Sequence, residues 1–366
     1  MKITFIIHSL EKMGGAEKIL VLLANHFANK KYEISIILLT NSENTFELNK
    51  NIILYKITKN IKKMLLPNKL NTLIHQVNHI KSITKKQKPD ILISFITATN
   101  IIATIAAKLS KTPIILSEHS SYDQSLTNAR GKIDSLIWKL LRRLTYPLAE
   151  HLTILTNEDK ERYHYVKNIT IIQNPLVLTF NHKNHIEREN IILGVGRLEH
   201  VKGFDMLIKS FQKLNLPNWK LIIAGEGSQR KILEMQIKHS NNIELIGLTQ
   251  DIEYYYKKAS IFVLSSRSEG FPGALCEAMG YGCAVIAFDC PTGPKEIISH
   301  NQNGILVEAN NIPQLYQEIN QLINDSQKRE LLGEKAQEIR KKLNISRISI
   351  KWENIFDSTI KNYKKD

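Results

Sequence analysis

The 366-residue sequence has no apolar run long enough to span a bilayer, no CxxC pair, no GxGxxG or GxxxxGK[ST] loop and no DxD. Each absence excludes something. A transmembrane helix needs about 20 mostly apolar residues, so none is expected. The opening Lys2–His8 lacks a small-residue cleavage pattern and reads as a strand, not a signal peptide. The three cysteines, Cys276, Cys283 and Cys290, are spaced by seven, which suits small buried hydrophobes in a reducing cytoplasm rather than a disulfide framework. The commonest glycine-rich phosphate loops are excluded. Without DxD there is no carboxylate pair of the kind that holds a metal ion against an anionic ligand.

Acidic residues are scarce where the chain begins. Residues 1–175 carry 25 Lys/Arg against 13 Asp/Glu, and the remainder 25 against 22, so nearly all of the net charge of +15 lies in the first half. Such a field attracts nucleic acid, an anionic membrane surface or a phosphorylated ligand. High Lys, Asn and Ile usage throughout is also what a biased genome produces.

What is present is a regular alternation of short apolar runs and helical patterns. In the first half the strands are Lys2–His8, Glu33–Leu39, Ile52–Ile57, Ile91–Phe95, Pro113–Ser117, Leu152–Thr156 and Ile169–Ile172, with helices over Glu17–Asn29 and Asn100–Leu109. The second half repeats the scheme from Ile191–Gly196 to Gly304–Val307 and ends in polar helices. Apolar runs of this length between helices indicate parallel sheets covered on both faces. The expected fold class is α/β: two Rossmann-like domains facing across a cleft. The expected domains are residues 1–178 and 190–345, with 346–366 as a helix returning to the first domain, and Phe180–Asn190 as linker.

Four features carry chemistry. Gly14-Gly15 lies in the first strand-to-helix turn, where bare backbone at a helix N-terminus can meet an anion. Arg197 and Lys202 share the loop after Gly194-Val-Gly196, two fixed cations able to neutralise a diphosphate without a metal. Glu269-Gly-Phe-Pro-Gly-Ala-Leu-Cys-Glu277 places two carboxylates eight residues apart about a helix start near Pro272. The backbone N–H groups around Gly270, Phe271 and Pro272 are expected to face the cleft beside those carboxylates, which can accept from sugar and ribose hydroxyls. His119 ends a strand in Ser117-Glu118-His119, as a ligand contact or as a hydrogen-bonded structural residue.

Taken together and in this order, the GG turn, the strand-end His, Arg-Leu-x-x-x-Lys-Gly and Glu-Gly-x-x-x-x-x-x-Glu resemble the retaining glycosyltransferases of family 4, which have the GT-B fold. The likeness covers nearly the whole chain. It implies a UDP-sugar donor and a hexosyl or N-acetylhexosaminyl transfer without metal or cofactor. By this resemblance Gly15 contacts the donor diphosphate or sugar. Arg197 and Lys202 bind the diphosphate, Glu277 the ribose, Glu269 the sugar and His119 a sugar hydroxyl, while Gly247-Leu248 is the nucleobase-binding strand end. It also implies a front-face displacement in which the leaving phosphate helps deprotonate the acceptor, and a final helix docked through Ile350, Trp352 and Phe356. The Asp289–Ile298 segment, with Cys-Pro-Thr-Gly-Pro in place of the commoner Gly-Gly-x-x-Glu loop, resembles the subset acting on bacterial surface glycans and lipid-linked oligosaccharides.

The acceptor side is read from Lys62–Lys88, where Leu66, Leu70, Leu73, Ile74, Val77 and Ile80 alternate with Lys62, Lys63, Lys69, Lys81 and Lys85. A basic amphipathic helix suits a membrane interface, or is an ordinary surface helix packed on a sheet. The stretch resembles the helix with which bacterial GalNAc transferases engage a polyprenyl-pyrophosphate carrier. Trp138, Arg142, Arg143 and Tyr146 add aromatic and basic anchors. The expected partners are therefore a UDP-sugar, a polyprenyl-pyrophosphate-linked glycan and an anionic membrane, with the enzyme peripheral on the inner face of the bacterial cytoplasmic membrane. Two alternatives differ in what they require. A UDP-sugar epimerase of the same fold would act without acceptor. A basic nucleic-acid-binding protein would show salt-sensitive affinity, and no RNA-binding motif supports it.

Overall fold

A computed structural model describes residues 1–11, 14–57, 68–123, 132–176, 178, 187–214 and 216–364, the side chains of 68–69 and 132–134 excepted. The chain forms two units, Met1–Pro175 with Ile345–Asp366, and Leu176–Asn344.

The first unit is built on the strands β1 (Lys2–Ile7), β2 (Glu33–Leu38), β3 (Ile53–Lys56), β4 (Ile91–Phe95), β5 (Ile114–Ser117), β6 (His151–Ile154) and β7 (Ile169–Ile171). They form one parallel sheet in the order β3-β2-β1-β4-β5-β6-β7. Its helices are α1 (Gly15–Asn29), α2 (Asn68–Gln87), α3 (Thr97–Ser110), α4 (Lys132–Thr145) and α5 (Asn157–Arg162). The strands are apolar on consecutive residues because both faces are covered. One face carries Phe5, Ile36 and Ile93 against α1, and the other carries Ile6, Leu92 and Leu116 against α2 and α3.

The second unit repeats the plan with β8 (Glu189–Val195), β9 (Lys220–Ala224), β10 (Ile243–Gly247), β11 (Ala259–Leu264), β12 (Ala284–Asp289) and β13 (Ile305–Glu308). All are parallel, in the order β10-β9-β8-β11-β12-β13. The helices are α6 (Phe204–Leu214), α7 (Arg230–Ile237), α8 (Ile252–Lys258), α9 (Gly273–Gly280), α10 (Pro294–Ile297), α11 (Ile312–Asn324), α12 (Ser326–Ala336) and α13 (Ile339–Lys342). The expected linker is outside the described residues up to residue 186, and its last two residues already belong to β8.

The last helix, α14 (Ile345–Tyr363), packs in the first unit. Trp352 and Phe356 are buried, the Phe356 ring lies 5.3 Å from Phe27 of α1, and Lys30 and Tyr32 donate to the Glu353 carboxylate. Ile350 faces outward, contrary to its expected docking role, because it falls on the opposite side of the helix from that pair. Both sheets reverse their strand order beside the first strand of the unit. Ligands of open parallel sheets bind outside the carboxyl ends of the strands at such a reversal. In unit 1 the reversal lies between β1 and β4, and in unit 2 between β8 and β11.

Candidate active site

In the second unit Arg197, Lys202 and Glu269 lie on the loops that flank that reversal, while Gly247-Leu248 follow the edge strand β10. β8 runs into Gly196 and Arg197, and a single 3-10 turn, His200–Lys202, then delivers Lys202. Gly203 closes the turn at φ 64°, where an added Cβ would stand 2.0 Å from the Ser265 carbonyl oxygen, so only glycine fits. β11 leads through Ser265 and Ser266 to Glu269. The two loops meet in an ion pair: Lys202 Nζ donates to both Glu269 oxygens, at 2.7 and 2.9 Å. Ser266 Oγ donates to the same carboxylate, which is almost fully buried. Lys202 and Glu269, assigned above to different parts of a ligand, thus pair directly with each other.

Three supports for this pair escaped the sequence reading. The Arg267 guanidinium forks onto Asp205 at 2.8 and 2.9 Å and also donates to the His200 carbonyl. Ser265 Oγ donates to the Lys202 carbonyl at 3.0 Å, and the Thr292 hydroxyl donates to the Glu269 carbonyl. Thr292 belongs to the unusual Asp289–Ile298 segment, and the following Gly293, at φ 100°, sits where a Cβ would meet Pro272 at 2.7 Å. That segment therefore braces the glutamate loop. Arg197 is exposed, beside Glu199, whose carboxyl is held below its usual range by hydrogen bonds from Ser228 and, less strongly, by the Arg197 charge.

Pro272 precedes α9 with no side-chain cap, which leaves first-turn N–H groups of the helix open. A Cβ on Gly273 would meet nothing within 4 Å. Gly270 and Pro272 are buried and Phe271 half-buried in the same loop. Glu277, one turn further, accepts from the buried Tyr256 hydroxyl at 2.9 Å. Gly247 ends β10 at φ 73°, bonded through its carbonyl to the Gly225 N–H at 2.8 Å, and Leu248 beyond it is fully outward. The three cysteines are buried and unpaired.

The first unit has a different chemistry at its reversal. Gly14 caps α1 without a side-chain hydrogen bond, and a Cβ on Gly15 would again meet nothing within 4 Å. Across the reversal, Ile96 joins β4 to α3 at φ 74°, ψ 139°, a conformation costly for a β-branched residue, on the order of 1–3 kcal/mol. Glu118 and His119 follow β5. Glu118 is buried and accepts from Thr97 Oγ1 at 2.9 Å, from Asn100 Nδ2 at 3.2 Å and from the Tyr146 hydroxyl. Burial pushes its carboxyl above the usual range, against those hydrogen bonds and the nearby Arg142 charge. His119 stacks on Phe95 with centroids 4.7 Å apart, and its Nε2 lies 3.0 Å from Ser117 Oγ. Thr153 Oγ1 donates to Ser117 Oγ at 2.9 Å, which ties the serine beside the ring to β6. The Asn174 side chain is also an electrostatic partner of the ring. Burial pushes the imidazole down to about 3, against the Asn174 side chain, so it is neutral at physiological pH.

The expected membrane anchors need correction. Arg142 is not a surface cation. It is fully buried, with its guanidinium carbon 3.6 Å from the centroid of the Tyr122 ring and Nη1 donating to the Tyr122 carbonyl. A planar cation can be buried this way because an aromatic face and a carboxylate, here Glu118, offset its desolvation. Tyr146 is buried beside it, and Trp138 packs on the core. Only Arg143 of this group is exposed. In α2 the apolar residues Leu73, Val77 and Ile80 pack into the unit 1 core, so that face is not free for lipid. Lys81 is half-buried and Lys85 exposed. Lys62, Lys63 and Leu66 lie outside the described residues, as does the side chain of Lys69.

The match to known proteins decides the family. A Campylobacter jejuni protein, the GalNAc-α-(1→4)-GalNAc-α-(1→3)-diNAcBac-PP-undecaprenol α-1,4-N-acetyl-D-galactosaminyltransferase, is 33% identical over 96% of this chain and 97% of its own. The chain belongs to the family 4 glycosyltransferases. The model described as Glycosyltransferase Family 4 matches residues 13–180 of this glycosyltransferase, and that described as Glycosyl transferases group 1 matches 179–339. A second C. jejuni protein, N-acetylgalactosamine-N,N'-diacetylbacillosaminyl-diphospho-undecaprenol 4-α-N-acetylgalactosaminyltransferase, is 27% identical over 96% of this chain and 99% of its own. Among solved structures, Thermosynechococcus elongatus sucrose-phosphate synthase superposes with a TM-score of 0.79 at 16% identity over 98% of each chain. Anabaena HepE in complex with UDP gives 0.78 at 19% over 98% of this chain and all of that one. Those likenesses establish the GT-B fold of the glycosyltransferase.

Proposed function

We propose that this glycosyltransferase moves a sugar, GalNAc or another hexosamine or hexose, with retention from a UDP-sugar to a polyprenyl-pyrophosphate-linked glycan. The observation that carries the reading is the Lys202–Glu269 pair at the strand reversal of unit 2, with Arg197 exposed on the same loop. A diphosphate leaving group gathers negative charge as the glycosidic bond breaks. Preorganised cations there stabilise the transition state more than the ground state. Arg197 and Lys202 supply that charge, and the open N-terminus of α9 adds backbone dipoles. This arrangement has no need of a metal ion on the diphosphate.

Glu269 orients Lys202 and accepts from the sugar, Glu277 accepts from the ribose, and Gly247-Leu248 borders the base. His119 binds a sugar hydroxyl, and Gly15 meets the donor through its backbone. With these groups used for binding, the leaving phosphate itself takes the acceptor proton. Support for the acceptor comes from the two C. jejuni relatives, whose names specify undecaprenol-linked substrates, and from the basic first half. On this reading the enzyme works at the inner face of the cytoplasmic membrane; no helix among the described residues is long and apolar enough to cross it.

The test is UDP release from a panel of UDP-sugars in EDTA, with and without a synthetic polyprenyl-pyrophosphoryl glycan, followed by anomeric analysis of the product. Release that needs one sugar and the lipid acceptor, survives EDTA and gives an α-linkage is expected. Interconversion of UDP-sugars without acceptor, or an absolute metal requirement, would overturn it.

A further inference from the structure

Among the described residues, the outer face of α4 (Lys132–Thr145) is apolar and uncovered. Leu136, Leu140 and Leu144 are 67%, 57% and 60% exposed, with Ile137 and Leu148 beside them also outward. Among the described residues, five of the fourteen exposed large hydrophobics fall in these thirteen positions, so this is a patch and not scatter. The three leucines recur every fourth residue and form one stripe along about 12 Å of helix. Lys139 and Arg143, both exposed, form a second stripe ~80° around the helix at ~100° per residue.

We infer that this face of α4 seats the enzyme on an anionic bilayer, the leucines in the headgroup–acyl boundary and Lys139 and Arg143 on lipid phosphates. The inference rests on the membrane-linked acceptor reading and names the surface that serves it. Charge complementarity selects the occupant. A second copy of the chain would set Lys139 and Arg143, on a half carrying 25 basic against 13 acidic residues, against their own like. An anionic lipid surface attracts that half instead. The inner face of the same helix strengthens the case. Arg142 ties α4 to the Tyr122 carbonyl and to the charge of Glu118, next to His119. Docking the outer face holds that strand end about one helix diameter, roughly 10 Å, from the interface, where a lipid-borne acceptor is presented.

The experiment is co-flotation of the full chain with phosphatidylglycerol/phosphatidylethanolamine vesicles, alongside turnover of a detergent-solubilised lipid-linked acceptor. Wild type floats with these vesicles, less with phosphatidylcholine or in high salt. The Leu140→Asp/Leu144→Asp variant loses about tenfold or more in bound fraction and loses turnover on vesicles while keeping it in detergent. Lys139→Glu/Arg143→Glu loses binding to the anionic vesicles alone. Leu136→Ser, the mildest change, serves if the double variant does not fold. Variants that float like wild type overturn the surface and leave the membrane reading standing. Wild type that does not float, and instead elutes as a dimer that Leu140→Asp/Leu144→Asp splits, overturns it in favour of self-association. Absent turnover in detergent sinks the acceptor reading whatever the flotation shows.

Discussion

The two units share one strand order but use its ligand end differently. In unit 2 the loops on either side of the reversal are joined by a charge pair within reach of solvent, Lys202 with Glu269. In unit 1 the corresponding loops carry glycines, a strained Ile96 and a neutral His119, and the buried carboxylate beneath them, Glu118, is held mainly by hydroxyl and amide donors. A cation that can be shared with an incoming anion belongs where negative charge develops. A carboxylate locked by neutral donors cannot leave its partners and so fixes geometry. On the function and the surface proposed above, the same topology yields one unit for diphosphate chemistry and one for positioning hydroxyls and meeting a surface.

Substitutions can sharpen or break this contrast. The largest effect is expected from Lys202→Met, which should lower kcat by about 10²–10³ in steady-state UDP release, as for loss of one preorganised charge stabiliser. His119→Asn should cost about tenfold less in the same assay, and equal losses would erase the distinction between the units.

The next effect is on stability. In the folded chain the His119 imidazole takes its proton near pH 3, against 6.5 when unfolded, so between those values the unfolded state binds more protons. Stability therefore falls as pH drops from about 6.5 toward 3. His119→Asn should remove about 2 kcal/mol of the loss seen between pH 7.5 and 5, read from urea midpoints. An unchanged slope would mean that the ring is not buried as described.

The smallest effect separates two glycines. Gly15→Ala should leave the stability within about 0.5 kcal/mol of wild type yet raise the KM for the sugar donor, since nothing among the described residues lies within 4 Å of the added Cβ. Gly203→Ala, at φ 64° and against the Ser265 carbonyl, should destabilise the fold as well. An unaltered KM in Gly15→Ala would break the backbone-contact role.

The sheets were legible because each strand is a continuous apolar run, and every strand expected from Lys2 to Val307 is present within two residues of its bounds. The placement of Arg197, Lys202, Glu269 and Glu277 in a strand-end loop and about a helix start was legible because a loop after a strand and a Pro/Gly helix start are set locally; their roles remain those proposed above. What stayed hidden depends on tertiary contacts. Nothing in Trp138-Lys-Leu-Leu-Arg-Arg143 distinguishes Arg142 from Arg143, yet one is buried against Tyr122 and the other exposed. The difference is the ~100° of helix between them. The Arg267–Asp205 fork joins residues 62 apart, and Thr292 reaches Glu269 across 23, so neither has a local signature.

The return of α14 to the first unit also governs the order in which the molecule is made. Phe27 of α1 meets His26 and Tyr32 locally but Phe356 only when α14 has been made, so unit 1, although translated first, stays unfinished on the ribosome until α14 has emerged. Unit 2 contains its own sheet and helices and can be complete before that. For the nascent polypeptide, the second half of the message closes before the first.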